Sequence, residues 1–252
     1  MVTSRSFTEY FSDAHTYLYP FTVAVAFDDA IPPAGIFETV PLAGAVNTPL
    51  WTLRYELAAY VGLATLAATG LFLRVWAVFL ATAVVFIGFV YWETFHELIA
   101  WPQWVGSLDR FAFCFLLGVA AYTVRDRIVL SPIPIIAAIP LLWLLNDTVL
   151  AHPAYCLFIA YLVLILGWAL PGALARFARR TDISYGTYIY GWPIQQALVA
   201  LVPGIALGAH LVLSLLLAPI AGLLSWQFVE RHAVGLNRSL SRTDTAHQEL
   251  QA

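Results

Sequence analysis

The chain has 252 residues, 61% of them hydrophobic and only 11% charged, with a mean hydropathy of +0.80. A soluble domain is nearer half apolar and a quarter charged, so this composition excludes a water-soluble fold and makes lipid the solvent. The net charge of −3 comes with twelve arginines and no lysine, and no basic run points to nucleic acid.

No metal-ligand spacing, phosphate-binding loop or dinucleotide fingerprint occurs, so no metal is implied. The two cysteines, Cys114 and Cys156, lie in apolar runs and are expected as small buried hydrophobes rather than a disulfide framework. The N-terminus, MVTSRSFTEYF, lacks the basic start and apolar core of a signal peptide.

Residues 1–48 form a mixed segment, expected to be extracytoplasmic or interfacial. Its apolar run from Tyr17 to Phe27 is too short for a bilayer, which needs about 20 residues. Seven candidate spans follow, at 50–72, 75–92, 109–124, 131–149, 153–171, 184–203 and 206–229. Their apolar runs are continuous rather than alternating, so the expected fold class is all-α, a polytopic transmembrane bundle over 49–232. Residues 233–252 read as a polar tail.

Arginine placement orients the bundle. Alternate connections carry Arg74, Arg125, Arg127, Arg176, Arg179, Arg180, Arg231, Arg238 and Arg242, nine in all. The other side holds Arg5, Arg54 and Arg110, with most of the acids: Glu9, Asp13, Asp28, Asp29, Glu38, Glu93, Glu97, Asp109 and Asp147. The C-terminus is therefore expected in the cytoplasm and the N-terminus outside. An outside start without a signal peptide leads us to expect a preceding segment. Trp51, Trp76, Trp92, Trp101, Trp104 and Trp226 fall near span ends, as an interfacial belt would.

Ionisable groups inside lipid are costly and face the bundle interior. Glu56 lies near the outer end of the first span. Arg54, two residues away, points elsewhere on a helix, so Glu56 either pairs with another helix or faces a cavity. The sixth span, DISYGTYIYGWPIQQAL, is unusually polar. Ser184, Tyr188, Gly191 and Gln195 recur on one side, with Tyr185, Trp192 and Gln196 adjacent. Pro193 should bend it. These side chains either bond between helices or line a substrate path. His210 sits near the outer end of the seventh span, as a base or an interfacial packing residue. His96 belongs to ExxHE rather than HExxH, and is expected in a loop.

Three segments, taken together, resemble one family. VNTPLWTLRYE looks like the asparagine–leucine–tryptophan–glutamate segment of the acyltransferase 3 family of membrane acyltransferases. FAFCFLLGVAAY resembles its aromatic, glycine-containing span. DISYGTYIYGWPIQQ and SWQFVER resemble its tyrosine-rich span and closing glutamate. The resemblance covers residues from about 35 to 235. It implies transfer of an acyl group, commonly acetyl, from acyl-CoA to a hydroxyl of an extracytoplasmic glycan or glycolipid at the bacterial inner membrane. It also implies three further helices ahead of residue 1, bearing an arginine and, about eleven positions later, a catalytic histidine.

On that resemblance, Glu56 and His210 are the catalytic candidates, and Asn47, Trp51, Tyr185, Tyr188, Gln195 and Gln196 are candidate substrate contacts. Arg176, Arg179 and Arg180 would attract the phosphates of acetyl-CoA, or simply keep that connection inside. Two other readings stand beside it: a non-catalytic relative or subunit of a membrane complex, and a transporter, for which no internal repeat speaks.

Overall fold

A computed structural model describes residues 2–26, 32–70, 74–99 and 101–232. The tail at 233–252, with Arg238 and Arg242, and the acids Asp28 and Asp29 lie outside the described residues. The regular elements are helical: α1 (Phe7–Ser12), α2 (Ala14–Ala26), a 3-10 turn (Thr48–Thr52), α3 (Leu53–Ala68), α4 (Val75–Phe95), α5 (Gln103–Thr123), α6 (Ile133–Leu145), α7 (Ala151–Ala169), α8 (Gly172–Arg180), α9 (Ser184–Leu201) and α10 (Leu207–Ser225). α10 continues into a wider π turn at Trp226–Glu230. Among the described residues the β structure amounts to an isolated bridge between Thr3 and Ile36.

Among the described residues, four helices are long and apolar enough to cross a membrane: α4, α5, α7 and the continuous Leu207–Glu230. The 16 residues of α3 and the 13 of α6 are short for a span, at about 24 and 20 Å of rise against a core of roughly 30 Å. α9 has 18 residues but is interrupted by tyrosines and glutamines. The outward faces of the long helices stay apolar and uncovered, as at Ile87, Val163, Leu215 and Leu216, each more than half exposed. Such a surface suits hydrocarbon, and the chain is a multi-pass membrane protein. α5 begins six residues before the expected span, directly after Pro102, so Asp109 and Arg110 lie within the helix rather than in a connection.

The chain divides into two compact units, residues 53–171 and residues 1–52 with 172–252. In the first, α4 and α5 run antiparallel. Phe89, almost fully buried, meets Phe113 edge-on, and Phe86 tilts against the same ring. The Trp92 indole fills the space over Gly106, where a Cβ would overlap its ring. Only glycine permits this approach, so Trp92 is a packing residue as well as an end-of-span aromatic. α3 joins α5 through Tyr55 stacked on Phe111, and through Leu63 and Phe115 beside buried Val78, Val119 and Ala120.

In the second unit α9 and α10 pack closely at two glycines. A Cβ on Gly186 would stand 2.8 Å from the Gly222 Cα, and one on Gly222 would stand 2.7 Å from the Thr187 nitrogen. Small residues at such crossings let backbones touch where lipid supplies no hydrophobic drive between helices. The irregular segment 36–46 lies on the C-terminal half of α9, with Phe37, Val40 and Ala200 buried together. Its approach is set by Gly35 at φ +88° and Phe37 at φ 52°. α1 opens with a reciprocal cap between Ser6 and Glu9, and Arg5 pairs with Asp13 at 2.8 Å.

Candidate functional site

The polar face of α9 follows from what it touches. Residues 42–52 are not α-helical, so their carbonyls need donors, which lipid cannot supply. Tyr188, Trp192 and Gln196 provide them. Spaced four apart, they form one stripe along the helix. Gln196, only 6% exposed, donates through Nε2 to the Leu42 and Ala45 carbonyls at 2.9 and 3.1 Å. Trp192 Nε1 donates to the Ala45 carbonyl at 3.0 Å. The Tyr188 hydroxyl donates to the Pro49 carbonyl at 2.5 Å and also meets the Thr52 hydroxyl.

Asn47 completes the arrangement in the opposite sense. Pro193 has no N–H, so the helical acceptor four residues earlier, the Ile189 carbonyl, loses its normal donor. Asn47 Nδ2 donates to that carbonyl at 2.9 Å. Asn47 is itself buried. α9 therefore runs through Pro193 as one helix with its gap bridged by a side chain from the loop. Trp51 lies half-buried in the 3-10 turn beside these contacts.

Gln195 and Tyr185 point away from this stripe and are exposed. His210, half-buried on the first turn of α10, approaches the Gln195 backbone carbonyl through Nε2 at 3.3 Å. At the start of α9, Asp182 accepts from the Ser184 hydroxyl at 2.6 Å and from its backbone N–H at 3.0 Å. The side-chain bond first, and then the backbone bond, hold this carboxyl below its usual range. At the far end of α10, Ser225 donates to Glu230 at 2.7 Å within the π turn.

Arg176, Arg179 and Arg180 lie on α8, where spacings of three and four place them along one edge, all exposed. Two of them occupy the last turn, where cations complement the helix dipole. Leu174 and Phe177 are exposed on the same short helix, giving it a mixed cationic and apolar surface.

In the other unit, Glu56 is exposed on the first turn of α3 and accepts from the Tyr60 hydroxyl one turn on. Tyr60 meets the Phe115 ring edge-on. Among the contacts described, Glu56 thus has a partner within its own helix α3. His96 lies just past the end of α4, at its C-cap in the turn that follows, stacked on Trp92 with Nδ1 3.1 Å from the Trp92 carbonyl.

The sequence reading missed Tyr60 and Thr52, although Tyr60 is four residues from Glu56, the spacing at which helical side chains meet. It also missed the Glu93–His152 pair, 2.9 Å apart between α4 and α7. The cysteines are not buried: Cys114 is exposed and Cys156 half-exposed, because their helices turn those faces outward. Compared with known protein families, curated proteins and solved structures, the chain matches none.

Proposed function

We propose that this chain is a membrane-bound O-acyltransferase of the bacterial inner membrane, C-terminus in the cytoplasm. Its short helices α3 and α6 and its polar helix α9 complete about seven spans, and tilt and local thinning accommodate the short ones. It would move an acetyl group from acetyl-CoA to a hydroxyl of an extracytoplasmic glycan or glycolipid. What supports this reading most is that two of the segments carrying the resemblance, residues 47–52 and α9, meet each other. Asn47 closes the Ile189 gap, and Tyr188 holds Pro49 and Thr52.

In the reaction the acceptor hydroxyl oxygen attacks the thioester carbonyl while a base takes its proton. The tetrahedral oxyanion then collapses, the C–S bond breaks, and the CoA thiolate leaves and is protonated. Glu56 orients that base or binds the acceptor, with Tyr60 fixing its carboxylate. His210 is a separate candidate for acid–base work, named for its imidazole. Gln195 and Tyr185, exposed on α9, offer hydrogen bonds to acceptor or acyl carbonyl. Arg176, Arg179 and Arg180 bind the CoA phosphates, and no metal is required.

The donor half is tested by equilibrium binding of a hydrolysis-resistant acetyl-CoA analogue to the purified protein. Replacing the three arginines by glutamine should weaken binding at least tenfold and flatten its salt dependence. Unchanged affinity would remove α8 from the donor site.

A second reading is favoured by one observation: the donors of Tyr188, Trp192 and Gln196 are already spent on carbonyls of the chain itself. α9 would then be a structural helix in a non-catalytic relative or in a subunit of a membrane complex.

A further inference from the structure

On α8 charge and apolarity fall on opposite sides. At about 100° per residue, Arg176, Arg179 and Arg180 share one side, and Leu174, Phe177 and Ala178 share the other. The Arg176 guanidinium folds back over Gly172, 3.6 Å from where a Cβ would stand, so the cationic side runs the length of the helix. The sequence of the helix, GALARFARR, holds no acid, and among the described residues none of its three arginines pairs with a carboxylate. Leu174 and Phe177 are each about half exposed, so the apolar side is open as well. The position of the helix follows from the chain. The membrane-crossing α7 ends at Ala169, Leu170 is extended at ψ 127° ahead of Pro171, and α8 begins at Gly172. A helix separated by two residues from the end of a span starts at the bilayer surface.

We propose that α8 lies in the plane of the bilayer surface and gathers anionic phospholipid around itself. Leu174, Phe177 and Ala178 enter the boundary between headgroups and acyl chains, and the arginines reach headgroup phosphates. Charge complementarity selects the occupant. Three cations with no acid on the helix are balanced by lipids of net negative charge, and a zwitterionic headgroup brings its own cation. Guanidinium suits this role because its fork of donors matches two phosphate oxygens at once. The inference goes beyond the acyltransferase reading and does not rest on it. The two assignments share one chemistry, phosphate on guanidinium, and a CoA donor would reach these arginines by displacing lipid phosphate.

The test uses the full chain carrying Cys114→Ser, Cys156→Ser and Ala178→Cys, labelled at residue 178 with bimane. It is reconstituted into vesicles of equimolar phosphatidylcholine and phosphatidylglycerol. One lipid or the other carries brominated acyl chains, which quench the label on contact. Both leaflets hold the same lipids, so insertion in either orientation gives the same reading. Brominated phosphatidylglycerol should quench more strongly, with a relative association constant of about fivefold or more over phosphatidylcholine. Lysine at all three arginine positions should keep that preference and glutamine at all three should abolish it, with helical circular dichroism unchanged in both. Quenching by neither lipid would place α8 away from the bilayer. Equal quenching by both, or a preference that survives the three glutamines, would remove the arginines from lipid selection. Loss of the preference in inorganic phosphate at constant ionic strength would make free phosphate the occupant. Each of these results would overturn the proposal.

Discussion

The junction between Asn47 and Pro193 yields a prediction whose size can be worked out. Asn47→Ala removes the 2.9 Å bond to the Ile189 carbonyl. A net hydrogen bond is worth about 1 kcal/mol, and a carbonyl stranded away from water costs about 1–3 kcal/mol, so we expect a loss of roughly 2 kcal/mol. In a Pro193→Ala background, residue 193 regains an N–H, which reaches the same carbonyl by the ordinary helical bond. Asn47→Ala should then cost about 1 kcal/mol less than in the wild type. The assay is denaturant unfolding of the four purified proteins in one detergent, followed by helical circular dichroism and read as a double-mutant cycle. Equal costs of Asn47→Ala in both backgrounds would refute the reasoning, because Asn47 would then act through other contacts alone.

Two further perturbations follow from packing and charge. Gly106→Ala drives a methyl into the Trp92 ring, and overpacking should cost about 1–3 kcal/mol in the same unfolding assay. Trp92→Leu in that background should recover part of the loss, whereas Trp92→Leu alone should destabilise. Asp182 has a folded pKa below its ordinary 3.8, so the unfolded state binds its proton first and stability rises with pH through that window. The contribution is complete near neutral pH and is lost as pH falls through the folded value. Asp182→Asn should remove this acid-limb component, leaving the stability difference from wild type smaller at pH 3 than at pH 6.

The all-helical class and the lipid solvent were legible in composition, because continuous apolar runs leave no other way to satisfy the backbone. The four long helices fell within a few residues of expectation, except at α5. There Asp109 and Arg110 resemble the edge of a span, yet Pro102 starts the helix and carries both inside it. The polarity of α9 was plain, but its cause was not. The face singled out first ran through Ser184, Tyr188, Gly191 and Gln195, while the face in use shares Tyr188 and continues through Trp192 and Gln196. Only the position of segment 42–52 decides which tyrosine or glutamine meets a carbonyl, and that depends on contacts well over one hundred residues apart in sequence. The role of Asn47 was nevertheless within reach, since a proline in a helix always leaves an acceptor four residues back.

The central claim is acyl transfer, and it is tested most directly by supplying membranes with labelled acetyl-CoA and measuring label in cell-envelope glycans. Three preparations are compared: membranes holding this chain, its Glu56→Gln variant, and the chain extended in frame by the genomic sequence upstream of it. The account predicts base-labile label in glycan hydroxyls, given by the chain or by its extended form and lost in the Glu56→Gln counterpart of whichever form is active. Absence of label from both forms, in membranes where a known acetyltransferase labels its own acceptor, would contradict it.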